Sequence, residues 1–385
     1  MSVNDPDLAK PAPSGQAAAA PRRDLSQPLP PGSRIGILGS GQLGRMAALA
    51  AARLGYRCHA YGPEANAPAN QVCDAATVAA YDDVEALKRF AAAVDVVTFE
   101  FENIPLATVE VLEALVPLRP GTRVLSICQH RLREKDFCRS VSVPTADYRP
   151  ARDAEELVEA FAAIGRPCIL KSAELGYDGK GQVRIHPDSD LDEAWAAMRG
   201  HAAAAVGIVE AVVEFRMEIS VIVARGSDGA MRTYVPVENR HRNHILDETI
   251  VPANLSQDLS DKAEAIARHL AQEMGLVGLL AVEMFVTHDG KVLVNEMAPR
   301  PHNSGHWSLD ACVTSQFEQF IRAVAGLPLG ATERLCDAVM KNLLGDEVDD
   351  WRKILSDPGS KLHLYGKASA RPGRKMGHVT RLIRR

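Results

Sequence analysis

Glu283, Asn295 and Glu296 fall in A-V-E-M-F-V-T-H-D-G-K-V-L-V-N-E-M-A-P-R-P-H-N-S-G-H-W, residues 281–307, a stretch dense in carboxylate, amide, guanidinium and imidazole groups. Two runs rich in β-forming residues, 281–287 and 291–297, flank Asp289-Gly290, a strong short-range signal for a β-hairpin. With Asp289-Gly290 as a two-residue turn, His288 pairs with Lys291. Counting outward then sets Glu283 opposite Glu296 on one face, with Cβ atoms about 5 Å apart. Like charges so placed repel unless a cation lies between them. Asn295 adds a neutral oxygen, and hard oxygen donors suit Mg2+, which keeps several waters and usually shares substrate phosphates. The hairpin reads as a platform for a metal-bound nucleotide; the competing reading is two solvated carboxylates on an exposed strand face.

A second chemical stretch is S-A-E-L-G-Y-D-G-K-G-Q, which follows a strand at 168–171 ending in Lys171. Gly176, Gly179 and Gly181, interleaved with Tyr177, Asp178 and Lys180, cannot hold a stable helix and are costly to order. Such a loop suits a backbone that closes over a ligand, with Lys171 in reach of phosphates. It has no G-K-[ST] of a Walker loop. The alternative is a surface turn with Asp178-Gly179 at its tip.

The elements that position these groups begin with a buried strand over 33–39 that runs into G-S-G-Q-L-G, residues 39–44, and an Ala-rich helix ending near Gly55. That order opens a doubly wound sheet. A nicotinamide site would also need an acid about twenty residues on, at the end of the second strand; Glu64 has the spacing but follows Gly62-Pro63. Strands are expected at 94–101 and 123–127. T-F-E-F-E-N, residues 98–103, sets Glu100 and Glu102 at the carboxyl end of a strand, where open α/β sheets bind ligands, unless they are solvated loop acids. Beyond lie a charged helix at 131–139, a helix at 153–165 and strands at 206–210, 219–224 and 234–239. His241 is expected in a loop between Arg240 and Arg242. A helix over 259–274, capped by Ser260 and stopped by Gly275, carries core residues at helical spacing. The last part has a helix at 317–325, a short strand at 361–365 and a basic cluster, Lys367, Arg371, Arg374 and Lys375, able to hold an anionic group. A solvated chain end is the bland reading, and the aromatics a nucleic-acid patch would interleave are missing.

The 385 residues carry a formal net charge of -5, which makes no electrostatic case for nucleic acid or an anionic membrane as partner. The seven cysteines are scattered without a C-x-x-C, so neither a disulfide framework nor a zinc site is indicated, and a reducing cytoplasm is expected. No apolar run approaches the roughly 20 residues that span a bilayer. Residues 1–31, rich in Ala and Pro, read as a disordered extension.

Together, G-I-L-G-S-G-Q-L-G-R-M, G-Y-D-G-K-G-Q, V-N-E-M-A-P-R-P-H-N-S-G-H-W and R-P-G-R-K-M-G-H resemble the 5-(carboxyamino)imidazole ribonucleotide synthetases of purine biosynthesis, a family of ATP-grasp enzymes. The likeness runs from about Arg34 to His378. It implies a mixed α/β and α+β chain: a Rossmann-like first domain at 32–128, a central ATP-grasp domain at 129–328 and a small C-terminal domain at 329–385. ATP would lie on Arg131, Lys171, the loop Gly176, Tyr177, Asp178, Gly179, Lys180, Gly181 and Gln182, the hinge Glu210, Ala211, Val212 and Val213, and on Glu218 and His241. Glu283, Glu296 and Asn295 would carry two Mg2+ ions. Arg300, His302, Asn303 and Asp178 would orient bicarbonate and aminoimidazole ribonucleotide, with Lys367 and Arg374 on its 5'-phosphate and Gln42 and Glu100 toward the imidazole. A homodimer is expected. Three departures stand out: His244 where the pattern has glycine, an acidic hinge E-A-V-V-E-F, and a tail that stops at Arg385, so that the C-terminal domain is expected to be shortened. A different ATP-grasp carboxylate-amine ligase, a nicotinamide-dependent oxidoreductase and a regulatory subunit that binds ATP without turnover are the alternatives.

Overall fold

The computed structural model describes residues 27–165, 167–174, 181–200 and 206–383. In the first unit the strands β1 (Arg34–Leu38), β2 (Arg57–Gly62), β3 (Ala75–Val78) and β4 (Val96–Phe99) are parallel in the order β3-β2-β1-β4. Helices α1 (Gln42–Arg53), α2 (Val84–Ala92) and α3 (Leu106–Leu115) follow β1, β3 and β4, as parallel neighbours require. Two short helices, α4 (Thr122–Cys128) and α5 (Arg131–Ser140), lead out of the unit. The strand expected at 123–127 is therefore helix. Its apolar residues do not alternate; Val124, Leu125 and Cys128 are the ones buried, a helical stripe in a run too short to tell apart by pattern.

The second unit is a small antiparallel sheet of β5 (Tyr148–Ala151), β6 (Cys168–Ser172), β7 (Gln182–Ile185) and β8 (Gly207–Ala211), in the order β5-β8-β6-β7, with α6 (Ala154–Ile164) and α7 (Leu191–Arg199). Asp153 and Asp190 cap these helices, each carboxylate accepting from a first-turn N–H.

The third sheet holds nine antiparallel strands: β9 (Phe215–Arg225), β10 (Met231–Thr233), β11 (Val237–Arg242), β12 (Ile245–Val251), β13 (Gly278–Thr287), β14 (Val292–Ala298), β15 (Asp337–Leu344), β16 (Ser360–Leu364) and β17 (Lys375–Ile383). Their order is β14-β13-β9-β11-β12-β15-β17-β16, with β10 on β9. Because β15 pairs with β12, the C-terminal strands extend the central sheet. Helix α8 (Gln257–Glu273) starts after Ser256, ahead of the expected cap at Ser260. His241 lies on β11, not in a loop, since β11 runs two residues past Arg240. The remaining helices are α9 (Ser308–Ala311), α10 (Gln316–Ala325) and α11 (Trp351–Leu355). One apolar core joins Ala47 and Ala51 of α1, Phe317 and Phe320 of α10, Trp307 and Tyr365, and so ties the first unit to the large sheet and its C-terminal extension. Among the described residues no helix is long and apolar enough to cross a membrane.

The hairpin places Glu283 opposite Glu296, as expected, but by a different route. Thr287 pairs with Lys291, so the loop has three residues, His288, Asp289 and Gly290, and Gly290 takes the left-handed conformation (φ 78°) that closes such loops. This shifts the register by one. A β-bulge between Glu283 and Met284 shifts it back: Met284 faces Val294, and Asn295 is the extra residue. Asn295 and Glu296 consequently share a face instead of alternating, and both line the same cleft.

Candidate active site

The three sheets enclose a cleft of about 1140 Å³. Its floor is the bulged hairpin, and α5 reads that bulge from behind. Arg131, Glu134 and Lys135, at i, i+3 and i+4, lie on one helix face. Arg131 Nη1 donates to Glu296 Oε2 at 3.0 Å, the Met297 amide donates to Glu134 Oε1, and Lys135 Nζ donates to the Asn295 carbonyl at 2.7 Å. Lys135 is 1 % exposed and Glu134 2 %, so these charges are kept for their contacts, not for solubility. Burial pushes the Glu134 carboxyl up to about 8, against the pull of Lys135.

Across the ladder Glu283 Oε1 stands 2.9 Å from His302 Nε2. Among the described residues no three His, Cys, Asp or Glu side chains converge as a metal cage. Mg2+ bound with a nucleotide does not need one: one or two carboxylates plus phosphates suffice, and the facing pair with Asn295 is such a donor set. Arg131 and His302 hold the two carboxylates meanwhile.

One wall belongs to Lys171, whose Nζ donates to Glu210 Oε2 at 2.6 Å, with Lys135 Nζ 3.8 Å from the other oxygen. Burial lowers the Lys171 ammonium below its ordinary value despite Glu210. Burial opposes ionisation of Glu210 too, but Lys171 and Lys135 outweigh it and bring its carboxyl to about 2. A folded value below the unfolded one stabilises the fold above the unfolded pKa and is lost as pH falls through the folded one. The expected outcome is that the stability gap between the unsubstituted protein and Glu210→Gln, measured by urea unfolding, narrows as pH drops from about 4.5 to about 2. On the large sheet, beside the hairpin, Glu218 Oε2 lies 2.5 Å from His241 Nδ1, and this contact raises the imidazole above its ordinary value although burial works the other way. Asn243 (φ 53°) and His244 (φ 64°) form the two-residue turn between Arg242 and Ile245 and both line the cleft. Two consecutive left-handed residues are what this turn demands, and His244 meets the demand without the freedom of glycine.

The far wall comes from the first unit. Arg300 donates from Nε and Nη2 to the two oxygens of Glu102, a bidentate pair that bridges the first sheet and the hairpin segment. Glu100 accepts from the amides of Gly41 and Gly44. A Cβ on Gly41 would lie 2.7 Å from Glu100 Oε1, which is why glycine stands there. The start of α1, where a dinucleotide would set its pyrophosphate, is filled by the chain's own carboxylate, which removes the nicotinamide reading. Asn303 and Asn342 exchange two amide hydrogen bonds, 2.9 and 2.5 Å, and so tie the Arg300 to Asn303 segment to β15. Gln316 holds the same segment by bonding the N–H and the carbonyl of His302.

Of the expected site residues, Gln42, Glu100, Arg131, Lys171, Gln182, Glu218, His241, Glu283, Asn295, Glu296, Arg300, His302 and Asn303 line this one cleft. Ala211, Val212 and Val213 instead line a separate cavity of about 520 Å³ with the hairpin tip, and the Glu210 carboxylate is spent on Lys171. Gly181 lies at φ 71°, its carbonyl accepting from Ser172 N. Gly176, Tyr177, Asp178, Gly179 and Lys180 fall outside the described residues. Lys367 and Arg374 are not in the cleft lining: Lys367 sits 5.8 Å over the Tyr365 ring and Arg374 donates to the Ser369 carbonyl, while Lys375 does line it. Sequence reasoning missed the roles of Glu102, Glu134, Lys135, Gln316 and Asn342. The only usable signal was the i, i+3, i+4 charge spacing on α5, and the others depend on contacts far along the chain.

Three family models match the chain in succession. Residues 33–129 match the ribonucleotide synthetase preATP-grasp domain, 136–317 the ATP-grasp domain and 338–384 the phosphoribosylaminoimidazole carboxylase C-terminal domain. The chain is 48% identical to an N5-carboxyaminoimidazole ribonucleotide synthase of Brucella melitensis, over 92% of this chain and 97% of that protein. It is also 48% identical to a bifunctional purine synthesis protein of Dictyostelium discoideum, but spans only 37% of that longer protein. A solved N5-carboxyaminoimidazole ribonucleotide synthetase in complex with ADP superposes with a TM-score of 0.89 at 47% identity, covering 93% of this chain and 94% of the other. A synthase from Aspergillus clavatus, solved with ADP and 5-aminoimidazole ribonucleotide, gives 0.84 at 30% identity, covering 92% and 94%. With its fold, its domain sequence and nearly half its residues shared, the chain belongs to the N5-carboxyaminoimidazole ribonucleotide synthase family.

Proposed function

We propose that the cleft joins the carbon of bicarbonate to the exocyclic amine of 5-aminoimidazole ribonucleotide, with ATP converted to ADP and phosphate. The observation that carries this reading is the Glu283–Glu296 pair on the cleft floor, flanked by Lys171 and Arg131 on one side and Arg300, His302 and Asn303 on the other. Phosphoryl transfer asks mainly for positioning and charge neutralisation. Lys171 and Arg131 would hold ATP phosphates, with Glu218 and His241 on the nucleoside side; Glu283, Glu296 and Asn295 would hold Mg2+, which when bound neutralises the charge that builds on the transferred group. A bicarbonate oxygen attacks the γ-phosphorus and the bond to ADP breaks. The amine then attacks the carbonyl carbon of the resulting carboxyphosphate and loses a proton, and phosphate leaves with the cleaved C–O electron pair. Arg300, a planar guanidinium directed by Glu102, suits an anion such as bicarbonate. The resemblance adds Asp178 beside the ribonucleotide, Gln42 and Glu100 toward its base, and Lys367 and Arg374 on its phosphate. A cytoplasmic homodimer and the boundaries at residues 128 and 328 belong to the same proposal.

The test is ADP release from MgATP and bicarbonate, with and without aminoimidazole ribonucleotide, alongside detection of the carboxylated product. Strong stimulation with matching product supports the reading; ADP release that ignores the ribonucleotide and answers to another amine would make this a ligase for a different acceptor. Within the proposal, Lys367→Ala is expected to raise the KM for the ribonucleotide through loss of a charge-assisted contact of about 1.5–3 kcal/mol, with little change for ATP. Equal loss for both ligands would move Lys367 out of the substrate phosphate site.

A further inference from the structure

We infer that a buried, one-directional chain of hydrogen bonds fixes the orientation of the His302 ring, and that Ser304 and Ser220 are positioning residues for the Glu283–Glu296 pair. The inference rests on the role proposed for that pair. The chain starts on β12, where Thr249 Oγ1 donates to Asn239 Oδ1 of β11 at 3.3 Å. Asn239 Nδ2 donates to Ser220 Oγ of β9 at 3.1 Å, and Ser220 Oγ donates to Ser304 Oγ at 2.6 Å. Ser304 Oγ lies 2.8 Å from His302 Nδ1, and His302 Nε2 lies 2.9 Å from Glu283 Oε1. Ser220 is itself the residue paired with Glu283 across the ladder, so the chain leaves the carboxylate site and returns to it.

Both ends set the direction. The Ser304 amide N–H points at His302 Nδ1 at 3.3 Å, so Nδ1 accepts. A carboxylate only accepts, so Nε2 carries the proton and donates to Glu283. Each hydroxyl between them then donates once toward His302 and accepts once from behind. Thr249 and Ser304 are fully buried, Ser220 is 1 % exposed and Asn239 5 %. Four polar side chains in such a place cost desolvation that apolar residues would avoid, and a fully satisfied network specifies one arrangement. What it specifies here is the ring that holds Glu283 opposite Glu296 before nucleotide arrives, a preorganised site for developing charge.

The test uses the full chain labelled with 15N-histidine, the His302 resonances being identified by their loss in His302→Gln. The unsubstituted protein is expected to show Nε2 protonated and Nδ1 bare. In Ser304→Ala the residue-304 amide still keeps Nδ1 bare, but the Nδ1 resonance moves downfield on losing its hydroxyl partner, and kcat falls about tenfold, the size of effect seen when outer partners of a ligand are removed, while the KM for ATP changes by no more than about twofold. Ser220→Ala, two links away and less prone to disturb the 302–306 turn, gives the same pattern more weakly, and Ser220→Thr restores it by keeping the hydroxyl. An Nδ1–H tautomer in the unsubstituted protein, or full kcat in Ser304→Ala, overturns the inference. Failure of the proposed reaction would look different: the expected tautomer with no ADP release answering to the ribonucleotide.

Discussion

Glu296→Gln is expected to lower ADP formation by a factor of about 10²–10³ or more with the fold intact, since it removes fixed charge from where the phosphoryl group transfers. Glutamine matches glutamate in volume, so the bulge that sets residue 296 beside Asn295 and opposite Glu283 persists. Lys135 still donates to the Asn295 carbonyl and the Met297 amide still donates to Glu134. What changes is charge: the proposed Mg2+ site loses one of two carboxylates, and Arg131 loses the anion 3.0 Å from it. Circular dichroism and the urea midpoint report the fold, and a coupled ADP assay at several Mg2+ concentrations reports the chemistry. Near-normal turnover would sink the metal assignment of the hairpin.

Arg300→Met is the second large effect, and it acts on stability and turnover together. The guanidinium forms both hydrogen bonds to Glu102, and the two side chains are only 16 % and 23 % exposed. Burial works against ionisation of Glu102, yet Arg300 holds its carboxyl below the ordinary value. Methionine fills the volume and strands the carboxylate, at a cost of about 2–5 kcal/mol for a desolvated pair cut on one side. Residual exposure places the expected loss toward the lower end. Adding Glu102→Gln removes the stranded charge, so the double variant should recover most of the stability and none of the ADP formation. If it recovers both, Arg300 is a fastener between the first unit and the hairpin, with no part in the chemistry.

These two residues also show what was legible in the sequence. Arg300 stands out because it sits in a motif and Glu102 because it ends a strand, but 198 residues separate them and nothing local announces their pairing. The facing glutamates were found from periodicity and a turn signal alone. Two misreadings cancelled: the loop is one residue longer than Asp289-Gly290 suggests, and the bulge at Asn295 restores the count. A bulge leaves little trace in a single sequence, because what stabilises it here is Lys135 and Glu134 reaching in from another helix. The misread segment at 123–127 failed for a related reason, an apolar run so short that helix and strand share its pattern. Glu100 does follow a strand and line the cleft, but both its oxygens turn to Gly41 and Gly44, a closure that only the folded glycine turn reveals.

If bicarbonate attacks ATP on this hairpin and the amine of aminoimidazole ribonucleotide collects the carbon, one oxygen of bicarbonate must end in phosphate. The most direct measurement is the isotope content of the phosphate formed when the protein turns over MgATP, aminoimidazole ribonucleotide and 18O-labelled bicarbonate. One 18O is expected in each phosphate, because the oxygen that attacks the γ-phosphorus leaves with it when the C–N bond forms. Unlabelled phosphate formed alongside carboxylated product would contradict it.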